Sequence, residues 1–126
     1  MRIELDVRTT DGIAELSEGI GAISSVADAL DLLAEVFGLG TSCLILHAEQ
    51  LAPAFFDLRT GLAGEILQKC ANYQIRVAIV GDFSDYTSKS LHAFIVECNR
   101  GRQIFFCASR GEAVHRLSGQ PDYGAA

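Results

Sequence analysis

The chain has 126 residues, 49% of them apolar and 21% charged, with 12 Gly and only 2 Pro, which is the profile of one compact domain and excludes a second. Its net charge of −6, with only ten scattered Lys and Arg, argues against a nucleic-acid surface, since phosphate contacts need clustered cations. No apolar run approaches the roughly 18 residues of a membrane span, and the start Met1-Arg2-Ile3-Glu4 has no signal-peptide pattern, so a cytoplasmic protein is expected. In chain order, Ile3, Leu5 and Val7 alternate with Glu4 and Asp6, and Thr9-Thr10-Asp11-Gly12 supplies turn chemistry before Ile13-Ala14-Glu15-Leu16. That predicts an opening hairpin. Ser25 and Asp28 form a capping box for a first helix with Val26, Ala29, Leu30, Leu33, Val36 and Phe37 on its inward stripe and Gly38 at its end. Cys43-Leu44-Ile45-Leu46 is a wholly apolar run, the form of a strand buried on both faces.

After a loop around Pro53, a second helix carries Ala63, Ile66, Leu67 and Cys70 and stops near Asn72. The alternation then repeats: Val77 to Val80 as a strand, Leu91, Phe94, Ile95 and Cys98 as a helix face, and Ile104 to Cys107 as a strand. A last helix is capped by Ser109 and Glu112, with Ala113, Val114 and Leu117 inward. Strands separated by helices run parallel with right-handed crossovers. The expectation is a single α/β domain over residues 1–117, a mixed five-stranded sheet in the order β-β-α-β-α-β-α-β-α with parallel central strands and four helices. Residues 118–126, with Gly119, Pro121 and Gly124, read as a flexible tail.

The segment Phe55-Phe56-Asp57-Leu58-Arg59-Thr60-Gly61-Leu62-Ala63-Gly64-Glu65-Ile66-Leu67-Gln68-Lys69, with Ala78 to Phe83 and Ser88-Lys89-Ser90-Leu91, closely resembles a bacterial family catalogued as domain of unknown function 4180. The element order, with a helix opening at Thr60-Gly61-Leu62, also resembles the STAS domain of anti-sigma-factor antagonists and sulfate transporters. In those antagonists the serine just before the glycine is phosphorylated by a partner kinase. The STAS resemblance therefore implies a regulatory protein-interaction module in which Thr60 is the phosphorylation or docking position.

Helix capping is the ordinary role for Thr60 and Asp57. A phosphate on Thr60 would place roughly two negative charges at a helix N-terminus and switch binding. The loop Gly81 to Ser90 follows a parallel strand and shares an edge with the start of the second helix, and ligands bind at that edge of open sheets. Asp57, Arg59, Asp82, Ser84, Tyr86 and Lys89 are its candidate binding residues, for a partner protein or, alternatively, for a small molecule or a weak enzymatic reaction. His47, His92 and His115 lack metal-site spacing, Cys43, Cys70, Cys98 and Cys107 form no C-x-x-C pair, and no nucleotide loop is present, so no catalytic residue, metal or cofactor is expected. Phe55 and Phe56 are expected in the core. If exposed with Leu32, they would form an apolar patch able to support a homodimer.

Overall fold

The computed structural model describes residues 6–118. Strand β1 (Val7–Thr10) and strand β2 (Ile13–Leu16) form an antiparallel hairpin in which Val7 faces Leu16 and Thr10 faces Ile13. Asp11 and Gly12 alone make the turn, with φ of 53° and 80°, the left-handed pair that suits the right-handed twist of a hairpin. This two-residue turn carries the first strand on through Thr9 and Thr10, which were expected in the turn. Thr9 and Thr10 pair in the ladder, as β-branched residues favour, whereas Ile3 and Leu5 lie outside the described residues.

Helix α1 (Val26–Gly38), strand β3 (Cys43–His47), the one-turn helix α2 (Pro53–Phe56) and helix α3 (Leu62–Asn72) follow. Strand β4 (Arg76–Val80), helix α4 (Lys89–Arg100), strand β5 (Ile104–Cys107) and helix α5 (Arg110–Leu117) complete the fold. The four long helices are those expected; α2 is an addition, started by Pro53 where a preset φ and a missing N–H cost nothing. The sheet order is β1-β2-β3-β4-β5, antiparallel only between β1 and β2. Strands laid down in sequence by crossovers of one hand put α1, α3 and α4 on one face. There they cover Ala14, Leu16, Leu44, Leu46, Val77, Ile79, Ile104 and Phe106. On the opposite face Ile13, Ile45, Ala78, Phe105 and Cys107 lie under α5 through Ala113 and Leu117.

Two details of α1 correct its expected pattern. The buried stripe is Ala29, Leu32, Leu33 and Val36, a regular i, i+3, i+4, i+7 set, while Phe37 is 74% exposed. The helix runs through Gly38, and the left-handed residue after its end is Gly40, with φ of 79°. Leu32, Phe55 and Phe56 are all buried, so the patch expected to support a dimer is not made by them. Strands with apolar residues on both faces absorb the hydrophobic excess.

Candidate functional site

The carboxyl-terminal edge of the parallel strands begins at His47, the last residue of β3. By the register of β2 and β3, the His47 N–H would meet the Leu16 C=O as the next rung of the ladder. The Gln50 side chain is inserted there instead. Its Oε1 accepts from the His47 N–H at 2.9 Å and its Nε2 donates to the Leu16 oxygen at 2.8 Å. Among the described residues Gln50 is the buried polar side chain of the core, and both ends of its amide are satisfied. This amide lets β3 leave the sheet and turn into the chain 48–61 while both strand ends keep their hydrogen bonds.

That chain delivers Asp57, Arg59 and Thr60. Asp57 Oδ1 accepts from the Arg59 N–H at 3.2 Å and from Nε at 3.0 Å, and Oδ2 accepts from the second arm of the guanidinium at 3.0 Å. The Arg59 guanidinium bonds hold the Asp57 carboxyl below its usual range. The Thr60 hydroxyl donates toward the carbonyls of Ala54 at 2.8 Å and Asp57 at 2.9 Å, and accepts from the Leu62 N–H at 3.2 Å. Thr60 thus closes the turn before α3, and Gly61, with φ of 76°, supplies the left-handed residue that the turn requires.

The loop after β4 meets this turn from the side. Gly81 sits so close to the chain that a Cβ there would lie 2.6 Å from the Ala48 Cβ. Asp82 Oδ1 accepts from the Ser84 N–H at 3.0 Å and from its hydroxyl at 2.6 Å, and these bonds hold the Asp82 carboxyl low. Phe56 stacks on Tyr86 with ring centres 5.0 Å apart and 27° between planes, and Phe83 packs edge-on against Phe106 at 5.4 Å. Aromatic contacts of this kind are worth about 0.5–1.5 kcal/mol beyond buried area. The first contact braces the two loops against each other, and the second ties the later loop to β5. Ser88 caps α4, its Oγ accepting from the Leu91 N–H at 3.1 Å.

Between the braced loops lies an open cleft of about 530 Å³ lined by Phe56, Asp57, Leu58, Arg59, Ser88 and Ser90. A second cavity of about 470 Å³ lies at the ends of β4 and β5, against Gly81, Asp82, Phe83, Phe106, Cys107, Ala108 and Glu112. The candidate edge is therefore divided. Asp57 and Arg59 line the first cleft, Asp82 the second, Tyr86 supports the first through Phe56, and Ser84 and Lys89 are exposed and line neither.

Sequence reasoning placed Ser88 and Ser90 in the candidate loop without naming them as binding residues, and it missed Gln50 and a further polar group on the α5 face. There the Glu15 carboxylate accepts from His47 Nε2 at 2.7 Å and from Arg110 Nε at 2.8 Å, joining β2, β3 and α5. Burial pushes the Glu15 carboxyl up, but the bonds from His47 and Arg110 outweigh it and leave the group below its ordinary value. The alternation of Glu15 with buried Ala14 and Leu16 was the available signal; its partners come from segments remote in sequence. Burial pushes the Cys70 thiol up to about 12 and the Cys107 thiol up to about 11, so both stay protonated and poorly nucleophilic near neutrality. Among the described residues no group of three or more His, Cys, Asp and Glu is disposed to hold a metal ion. None of their helices is long and apolar enough to cross a membrane.

No curated protein and no solved structure matches the chain. The family model that does match, over residues 8–117, takes in both braced loops and every strand and helix except the first residue of β1, and the chain belongs to the family described as Domain of unknown function (DUF4180).

Proposed function

We propose that the chain is a cytoplasmic, non-enzymatic binding module that docks a short segment of another protein in the cleft between Phe56–Arg59 and Ser88–Ser90. The observation that carries this reading is the bracing of that cleft: two loops remote in sequence are held together by the Phe56–Tyr86 stack. A site held in place before binding loses less freedom on association. Phe56 and Leu58 offer apolar wall, and the Asp57–Arg59 pair and two serine hydroxyls offer a polar rim, the composition of a docking pocket rather than of a catalytic centre. The same mode is implied by the resemblance to STAS domains. In this reading phosphorylation of Thr60 is the regulatory signal. A phosphate removes the hydroxyl proton shared by the Ala54 and Asp57 carbonyls and loosens the turn that forms one wall.

Affinity capture from the native host tests it, comparing wild type with Leu58→Asp, Arg59→Ala and Thr60→Glu, and with Gln68→Ala on the exposed side of α3 as control. A partner kept by wild type and Gln68→Ala and lost by Leu58→Asp and Arg59→Ala is the expected result. A partner kept equally by all, or by none, refutes the docking site. A second reading, a small-molecule site, is favoured by the volume of the cleft, which exceeds the roughly 300 Å³ at which ligand pockets begin. Thermal-shift screening with nucleotides, simple anions and metal ions separates the two, because protein docking predicts a flat response across the set.

A further inference from the structure

The second cavity, of about 470 Å³ at the carboxyl ends of β4 and β5, has the size of a small-ligand site and lies at the edge where open parallel sheets bind ligands. Its floor is aromatic and fixed. Phe106 is 5% exposed, and the half-buried Phe83 packs edge-on against it at 5.4 Å. The side chain of Asn99, near the end of α4, holds the Phe106 backbone: Oδ1 accepts from the N–H at 2.7 Å and Nδ2 donates to the carbonyl at 3.2 Å. The rim is exposed and acidic. Asp82 commits Oδ1 to Ser84, and Glu112 commits Oε1 to the Ala108 N–H at 3.0 Å. Among the described residues no hydrogen bond or ion pair engages the second oxygen of either carboxylate.

The nearest cations on α5 are committed elsewhere. Arg110 bonds to Glu15 at 2.8 Å, and Arg116 donates to the Asn99 carbonyl at 2.8 Å with its guanidinium 4.3 Å from the centre of the Phe105 ring. The start of α5, which would otherwise draw an anion, is answered within the chain, by the Ser109 hydroxyl on the Glu112 N–H at 3.1 Å and by the Glu112 carboxylate itself. The charge of Glu112 also adds to burial in raising the thiol of Cys107, which lines the cavity. An unanswered negative rim above an aromatic floor suits a cation that carries an apolar body. The carboxylates take its charge and the rings take its chain. A bare metal ion suits it less, because among the described residues no three acidic, His or Cys ligands converge.

We propose that this cavity binds a small primary alkylammonium ion, with its nitrogen at the Asp82 and Glu112 rim and its chain against Phe83 and Phe106. The site is separate from the cleft between the braced loops and does not rest on the docking reading. The test is titration of the full chain with n-butylammonium chloride, read from backbone amide shifts by NMR. Methylammonium chloride, sodium butyrate and magnesium chloride at matched ionic strength are the comparisons. The expected result is a saturable shift at Gly81, Asp82, Cys107 and Ala108, with Leu58 and Arg59 of the other cleft unmoved. Methylammonium binds more weakly, and butyrate and magnesium do not saturate. Asp82→Asn and Glu112→Gln keep the oxygens that accept from Ser84 and Ala108 while removing the charge. Each is expected to weaken butylammonium about two- to fivefold, the size of an exposed ion pair. The proposal is overturned by shifts that never saturate, by equal shifts from any of the three comparison salts, or by wild-type affinity in the double variant. The comparison of salts uses the wild-type chain, so it decides the matter even if a variant fails to fold.

Discussion

Replacing Gln50 by leucine keeps the approximate volume of the side chain and removes both polar ends of the amide that splits the last β2–β3 rung. In the wild type the amide meets the Leu16 oxygen at 2.8 Å and the His47 N–H at 2.9 Å, in a side chain only 2% exposed. The variant leaves two backbone groups without partners. Each orphaned group costs about 1–3 kcal/mol, so the loss is about 2–6 kcal/mol, with the lower half favoured because His47 is partly exposed and water reaches its side of the rung. Against a total of about 5–15 kcal/mol for a domain of this size, that is a large fraction. Urea unfolding followed by circular dichroism reads it as a midpoint lowered by about 1–2 M, taking a slope of about 1–3 kcal/mol per molar. Gln50→Glu sharpens the test. Its carboxylate still accepts from His47 but faces the Leu16 oxygen with no proton to donate, so this variant regains stability as the pH falls and the carboxyl becomes protonated. A leucine variant within about 0.5 kcal/mol of wild type, the range of ordinary surface changes, refutes the reasoning. A glutamate variant with the pH dependence of wild type does so as well.

Gly81→Ala forces a Cβ to within 2.6 Å of the Ala48 Cβ and should destabilise by about 1–3 kcal/mol. Ala48→Gly in the same chain restores part of that loss, and a double-mutant cycle with no coupling between the two positions excludes this contact as the cause. Glu15 has a folded-state pKa below its ordinary value of 4.5, so its contribution is complete above that value and is lost as pH falls through the lower folded one. Glu15→Gln should therefore be less stable than wild type at neutral pH and converge toward it in acid; parallel stability curves down through that window count against the bonds from His47 and Arg110.

Those parts of the fold that could be read from the chain are the ones written locally. The strand Ile104–Cys107 falls where four consecutive apolar residues place it. Ser25 and Ser109 cap their helices as read, accepting from the N–H groups of Asp28 and Glu112 at 3.1 Å in both cases. In each the acidic side chain reaches back to the N–H just before the cap, of Ser24 at 3.0 Å and of Ala108 at 3.0 Å. Phe37 fails the same reading for a tertiary reason. It continues the apolar spacing of α1, but the sheet beneath is already filled by Leu32, Leu33 and Val36, and the ring is left outside.

The site is legible to a different degree because its chemistry is divided between segments. Asp57 and Arg59 announce themselves as polar residues in a strand-to-helix connection, yet the cleft they line also needs Ser88 and Ser90, which lie at the end of the candidate loop Gly81 to Ser90 and were not singled out in it, while Asp82 lines a separate cavity. Gln50 and Asn99 are harder still. Each is an unremarkable amide in the chain, and each stands in for a backbone partner that the sheet does not supply: Gln50 where β2 and β3 part, Asn99 where β5 has no neighbour. An amide is suited to both places because it carries a donor and an acceptor side by side, as a peptide group does. A carboxylate offers only acceptors and an aliphatic chain offers neither. Where a sheet ends, the residue that ends it is therefore chosen by the backbone groups left open, and those are known only once the strands are paired.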